Sequence, residues 1–530
     1  MAFHPGTPFF LSVFFREICI AWLDFVLLWF YISKQIGKQR KNNGVFPGMV
    51  YDVTVIGAGV CGASIARELA RYEGKILLLD KAADASFGVS KSNSGIVHGG
   101  FHHPSHMLKT RLEVQGMRLF PRLAEELGFD WSPCGILVAA YDPEEMEVLK
   151  KLYQRGLDNG IHTLELCDHD RMLELEPKLQ PTVCGGFYAP EGGTVEPYTY
   201  VYKLLENALL NGVETRFNRR ITGGKYESGI WTLTPENGEV IRTRFVVNAA
   251  GLFADEVSRV CGAEEFTIHP RKGEEYLLDR TCAARPEHVI FPVPVKHSKG
   301  VLVIPTAGGT TMIGPTADPI DDKEDTTTTP LHFRTILKKV QGMVQGVDPR
   351  SVITSFAGLR PVLESEDFYI EPSEKVPALI QVAGIQSPGL TASPAIGIFV
   401  RELLEKAGLE LPLKTSFLPS LPPHRMIRRE STASLEQLHQ DDPAWTNIIC
   451  RCEKISEAEI VTAIRHGHTT VDGIKFYTRA GMGRCQGGFC AARILKIISR
   501  ETGIPVTELT KRGGNSRICI GSLGDLEVKE

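Results

Sequence analysis

Apolar positions along the chain form short continuous runs that end at glycine, interleaved with segments of helical periodicity. Residues 50–56 (VYDVTVI) are rich in β-branched side chains and stop at Gly57, which predicts a buried parallel strand. An amphipathic helix is expected over 63–72, and 75–79 reads as a second apolar strand closing on Asp80. Helical spacing recurs over 109–127, 144–159, 198–211 and 457–465. Strand-like runs cover 266–278, 289–294, 300–305, 310–314 and 378–383, with a helix expected to begin near Ala395. Strand–helix alternation at the start, with clustered strands later, predicts a parallel α/β layer and an antiparallel second sheet. The proline-rich stretch 418–424 marks a linker.

Composition narrows the class. A chain of 530 residues predicts two or three domains, and 43% hydrophobic with 23% charged residues excludes a disordered or fibrous chain. Lys and Arg number 59 against 63 Asp and Glu, with no long basic run after the N-terminus, so nucleic acid is not an expected partner. Twelve cysteines are too few for a disulfide scaffold; four at short spacings near the C-terminus point to a reducing compartment and a metal or cluster site. Residues 8–32 are strongly apolar and precede Lys34, Lys38, Arg40 and Lys41, but Arg16, Glu17 and Asp24 interrupt them. A charge near the centre of a span costs roughly 2.5–3.5 kcal/mol on insertion scales. The segment 1–49 therefore reads as an upstream start ahead of Met49, an interfacial helix, or a span. The expected location is cytoplasmic, with peripheral association at the cytoplasmic membrane face left open.

Gly57-Ala58-Gly59-Val60-Cys61-Gly62 lies between the first strand and its helix. In a dinucleotide fingerprint the first glycine makes the tight turn, the second admits a diphosphate, and the third lets the helix pack on the strand. N–H groups at the helix start then meet the phosphates. Asp80 is placed to accept hydrogen bonds from a ribose, with Lys81 beside it.

Residues 90–100 (SKSNSGIVHGG) suit a loop wrapping a bulky cofactor. Far downstream, Phe245-Val246-Val247-Asn248-Ala249-Ala250-Gly251 is a strand closing on small residues, and Gly384-Ile385-Gln386-Ser387-Pro388-Gly389-Leu390-Thr391 follows the run 378–383. With these segments the chain resembles the D-amino-acid oxidase-like FAD-dependent oxidoreductases over about residues 50–410. The resemblance implies an α/β fold: a Rossmann-like FAD-binding domain (about 50–105, 190–260 and 355–410) with an antiparallel-sheet substrate domain (about 106–189 and 261–354). It implies FAD contacts from Gly57, Ala58, Gly59, Gly62, Asp80, Lys81, Ser94, Gly95, Ala250, Gly251, Gly384, Ser387, Pro388, Gly389, Leu390 and Thr391. No second fingerprint follows a strand, so NAD is not expected.

Cys450-Arg451-Cys452 and, after 32 residues, Cys485-Gln486-Gly487-Gly488-Phe489-Cys490 give four thiolates in a C-x-C and C-x4-C pattern. Such a set holds a [2Fe–2S] cluster or a structural zinc. The run GMGRCQGGFC is similar to the bacterioferritin-associated-ferredoxin-like [2Fe–2S] domain. This implies a small helical C-terminal iron–sulfur domain over 447–505, after a linker at 411–446 and before a tail at 506–530.

Within the superfamily two likenesses compete. The stretch 93–100 with His103, Pro104, Leu108 and Lys109 is similar to L-2-hydroxyglutarate oxidases, as are Arg271-Lys272-Gly273-Glu274 with Tyr276 and Ala357-Gly358-Leu359-Arg360-Pro361. The appended cysteine module is the arrangement of anaerobic-type glycerol-3-phosphate dehydrogenases. Alcohol oxidation needs a base for the hydroxyl proton, and His98, in the loop beside the flavin, is the first candidate, or else a flavin or backbone hydrogen-bonding group. His102 and His103 follow, and His269 is read as structural. A small anionic hydroxy substrate needs a fixed cation: Arg360 first, then Arg271 and Lys272, with Tyr276 orienting substrate. The expected reaction is oxidation of sn-glycerol 3-phosphate to dihydroxyacetone phosphate, with electrons passing through the cluster to a partner protein. The alternatives are L-2-hydroxyglutarate oxidation and a non-catalytic redox sensor or electron-transfer subunit.

Overall fold

The strand Val50–Ile56 forms where the apolar run predicts it, and its register explains why the fingerprint works. The computed structural model describes residues 49–294 and 300–521. The N-terminal extension and the last nine residues, 522–530, lie outside the described residues. Among the described residues no helix is long and apolar enough to cross a membrane.

Val50–Ile56 pairs in parallel with Ile241–Asn248 on one side and Ile76–Leu79 on the other. Ile56 is thereby level with both Asn248 and Leu79, and Asn248 is level with Gln381 of the parallel strand Leu379–Ala383. Four strand ends open on one edge, so Gly57, Asp80, Ala250 and Gly384 meet there although the sequence separates them by more than 300 residues. Crevices at the carboxyl edge of a parallel sheet are where α/β folds bind nucleotides. Helix Val60–Leu69 starts directly on Gly59, three residues earlier than its amphipathic spacing suggests. A Cβ on Gly62 would lie 1.8 Å from the Gly57 carbonyl, which is the close packing the third fingerprint glycine permits.

The second sheet runs in the order Asp318–Pro319, His269–Leu278, Thr311–Gly314, Leu302–Pro305, Val289–Pro292, Ile136–Ala140, Gly185–Ala189, Glu165–Asp168. It is antiparallel except where Val289–Pro292 and Ile136–Ala140 pair in parallel. Val352–Val362, an 11-residue strand, lies antiparallel along the whole of His269–Leu278. The boundary expected near residue 355 thus falls inside a strand of the substrate sheet, and the chain returns to the nucleotide side only after it. Helix Leu108–Leu127, expected with the substrate part, packs instead against helix Gly389–Lys406. That helix begins at Gly389 rather than near Ala395, with Pro394 inside it.

The C-terminal module is a short hairpin, Ile448–Cys450 with Ile455–Ser456, and three helices: Glu457–Arg465, Val471–Thr478 and Ala491–Thr502. Ser456 and Glu459 form a reciprocal capping box at the first helix. The module is seated on the oxidoreductase by buried polar pairs. His468 Nδ1 lies 2.6 Å from Asp84 Oδ2, His466 Nδ1 lies 2.7 Å from Glu206 Oε1, and the Tyr477 hydroxyl donates to the same Glu206 oxygen at 2.6 Å. Lys203 and His466 hold the Glu206 carboxyl well below its usual range against the opposing effect of burial. The segment 411–446 is more than a linker. It contains the helix Thr432–Asp441, and its Leu418 and Pro419 carbonyls accept hydrogen bonds from Asn207.

Candidate active site and cluster centre

A cavity of about 1460 Å³ opens on the carboxyl edge of the parallel sheet and extends to the substrate sheet. Gly57, Gly59, Asp80, Lys81, Ser94, Gly95, Ala250, Gly251, Ser387, Pro388, Gly389 and Leu390 line it. The other expected cofactor residues stand just behind. Ala58 donates its N–H to Asp80 Oδ2 at 2.7 Å, Ala82 donates to Oδ1 at 2.7 Å, Gly62 packs the helix, and Gly384 makes a left-handed turn at φ +68°. Burial raises the Asp80 carboxyl above its usual value, opposed by those two N–H donors. Lys81 rests over the Phe253 ring, 3.0 Å from its centroid.

His98 reaches the cavity from the cofactor loop. Its backbone N–H donates to Thr391 Oγ1 at 2.9 Å, and its imidazole Nε2 lies 3.1 Å from Ser387 Oγ. The turn 384–391 therefore fixes the imidazole as well as bordering the flavin site. His103 also lines the cavity, whereas His102 stacks on Phe101, with ring centroids 4.3 Å apart.

The strand His269–Leu278 divides the expected cations by the two-residue period of a strand. Arg271, Gly273 and Glu275 face the cavity. Lys272 and Tyr276 point to the opposite face: Lys272 Nζ bonds Asp325 Oδ2 at 2.9 Å, and the Tyr276 hydroxyl donates to Glu274 and to the Thr329 carbonyl, both at 3.1 Å. The structure thus does not bring these two to the cavity. Arg271 does reach it, already paired with Glu366 at 2.5 Å. Arg360, directly across from Arg271 in the strand register, donates to the Thr316 carbonyl at 3.2 Å and, among the described residues, forms no ion pair. A Cβ on Gly273 would sit 2.6 Å from Arg360 Nη2, so glycine is what lets the guanidinium lie across the strand.

Glu275 is the cavity residue that motif reading passes over; its signal is the same-face spacing with Arg271. It is buried and accepts a hydrogen bond from Ser94 Oγ. Burial lifts its carboxyl to about 7, against the opposing pull of the Ser94 hydroxyl and Arg360. Below that pH the group is neutral; above it a carboxylate opposes the charge of Arg360. KM for an anionic substrate should therefore rise as pH passes through about 7, and Glu275→Gln should flatten the rise. Steady-state profiles across that range check this, and a native KM indifferent to pH would count against it.

Residues 52–403 match the family model described as FAD dependent oxidoreductase. The chain belongs to that family. This FAD-dependent oxidoreductase also matches a BFD-like [2Fe-2S] binding domain over residues 448–500. A relative from Caloramator mitchellensis named glycerol 3-phosphate dehydrogenase is 38% identical over 475 residues, 89% of this chain and 98% of its own. A Nematostella vectensis protein named L-2-hydroxyglutarate dehydrogenase, mitochondrial, is 29% identical over 302 residues, 53% of this chain and 65% of its own. Among solved structures, the L-alpha-glycerophosphate oxidase from Mycoplasma pneumoniae with FAD bound superposes with a TM-score of 0.68 at 28% identity, covering 71% of this chain and 100% of that one. The oxidoreductase binds FAD, and its BFD-like domain holds a [2Fe–2S] cluster.

The four cysteines of the module bring their sulfurs together in pairs that can hold the cluster. Cys452 and Cys485 bring their Sγ atoms to 3.7 Å, close to the separation of about 3.8 Å that two ligands 2.3 Å from one tetrahedral metal require. Cys450 and Cys490 form the second pair; their shared hydrogen bond pulls the Cys450 thiol down to about 6 and pushes Cys490 up. Two sulfur pairs suit two irons.

Proposed function

We propose that the protein oxidises sn-glycerol 3-phosphate to dihydroxyacetone phosphate and delivers the electrons singly, through the [2Fe–2S] cluster, to a partner protein. The observation that carries the substrate is the length of the likeness to the Caloramator glycerol 3-phosphate dehydrogenase. It runs over 475 residues, beyond the length of the region 52–403, at 38% identity, whereas the likenesses to L-2-hydroxyglutarate dehydrogenases are 29% over 302 residues and 25% over 395.

Bound FAD supplies the two-electron acceptor. The protein supplies the rest. Arg360, its charge uncompensated by any ion pair among the described residues, holds the substrate phosphate, and Arg271 adds a second, partly neutralised cation. His98, held by Ser387 and Thr391, takes the hydroxyl proton as hydride leaves the carbon. Outward transfer is supported by the exposure of Cys452 and of Phe489, which stands 85% exposed between Cys485 and Cys490. Arg451, Lys454, Arg484 and Arg493 are exposed nearby, and 480–500 contains no acidic residue, so an acidic electron carrier suits this face.

Anaerobic titration with glycerol 3-phosphate should bleach the flavin and yield dihydroxyacetone phosphate. Bleaching by L-2-hydroxyglutarate alone would transfer the reading to the hydroxy acid. Cys452→Ser should remove the cluster's visible absorbance and stop reduction of a one-electron acceptor, while flavin bleaching by substrate persists. Unchanged acceptor reduction would mean that electrons leave directly from the flavin.

A further inference from the structure

The FAD cavity is not closed by the oxidoreductase domain alone. The module and the tail behind it reach the same cavity wall through Lys475, Phe476, Arg479 and Arg512. Phe476 is held edge-on to Phe87 of the cofactor loop at 6.2 Å and against Tyr198 at 5.3 Å between centroids, which fixes the helix turn that carries Lys475. The tail is tied down as well. Asp472 N donates to the Lys511 carbonyl at 2.8 Å, Arg512 N donates to Ser516 Oγ at 2.9 Å, and a Cβ on Gly513 would meet Ala83 at 2.5 Å, on the loop just after Asp80.

Opposite them stands Lys91. Its neighbour Ser90 accepts a hydrogen bond from Val60 N at 2.9 Å, so Lys91 is adjacent to the helix start that receives a diphosphate in this fold. Lys91 donates to the Phe87 carbonyl at 2.8 Å. Among the described residues, none of Lys91, Lys475 and Arg512 forms an ion pair, and the acid close to them is Asp472. Burial, with Arg512 and Lys475 adding to it against Asp472, pulls the Lys91 ammonium down to about 8. Three cations gathered on a cavity wall with one carboxylate repel one another unless an anion joins them.

We propose that the iron–sulfur module and its tail complete the FAD site, with Lys475 and Arg512, facing Lys91, holding the cofactor's diphosphate. The cluster domain is then a clamp on the flavin as well as an electron carrier, and a chain lacking it would bind FAD more weakly.

FAD release from intact holoenzyme, followed as flavin fluorescence regained on dilution, tests this. Each lost charge-assisted contact is worth about tenfold in retention, so Lys475→Gln should speed release by about that factor and Lys475→Gln/Arg512→Gln by more. Iron and sulfide content measured on each variant shows that the module is still folded, and Lys475→Arg should restore slow release. Native release should also quicken as ionic strength rises, a readout that needs no variant. Release unchanged in the double variant, or native release indifferent to salt, overturns the proposal. So does a double variant that retains FAD normally but raises KM for glycerol 3-phosphate, because the cations would then serve the substrate's phosphate.

Discussion

His98→Asn should slow substrate-driven flavin reduction by about 10²–10⁴, the range that a positioned general base contributes. Asn keeps a polar group near Ser387 but cannot take a proton. The loss should therefore appear in the first-order rate of flavin reduction at saturating substrate, with little change in substrate affinity or FAD content. Stopped-flow bleaching under anaerobic conditions separates these terms. A variant that reduces its flavin at the native rate but sheds FAD would give His98 a cofactor-holding role instead, which its bond to the 384–391 turn also permits.

Arg360→Ala should act on the other term. Removing one partner of a buried charge contact costs about 2–5 kcal/mol, so kcat/KM for glycerol 3-phosphate should fall by roughly thirtyfold to a few thousandfold, mostly through KM. Arg360→Lys should recover part of this, since it restores the charge without the planar fork. Arg271→Ala should cost less, because Glu366 already neutralises much of that cation. An Arg360→Ala enzyme with native KM would remove Arg360 from substrate binding. The variant also strips Glu275 of the positive charge that restrains its carboxyl, so any remaining pH dependence of KM should move to higher pH.

These expectations share a physical basis. The cavity brings together a guanidinium that forms no ion pair among the described residues, an oriented imidazole and a carboxyl poised near neutrality. Gly273 makes the arrangement possible by leaving room for Arg360 over the strand. The module adds a second wall, held by buried polar pairs at Asp84 and Glu206.

The sequence by itself determined whatever is decided within a few tens of residues. A strand, a glycine turn, a helix and a second strand closing on an acid lie within 31 positions, 50–80, and each glycine has a local steric reason, so the FAD fingerprint is legible without a fold. The C-x-C and C-x4-C motifs are equally local, although the sulfurs pair across them, Cys452 with Cys485 and Cys450 with Cys490, which only the fold decides. Tertiary structure decided what depends on register and face. Lys272 is the candidate the sequence offers and Glu275 is passed over, but the alternation of the strand 269–278 and its pairing with 352–362 turn Glu275 toward the cavity and Lys272 away. Helix Gly389–Lys406 begins six residues before its expected start, because burial against two other helices overrides the weak propensity of a glycine- and proline-containing turn. The seat of the module and the reach of residues 512–514 to the large cavity were invisible for the same reason: the approach of residues 83 and 513 leaves no periodicity in the chain, and only the packed fold brings them together.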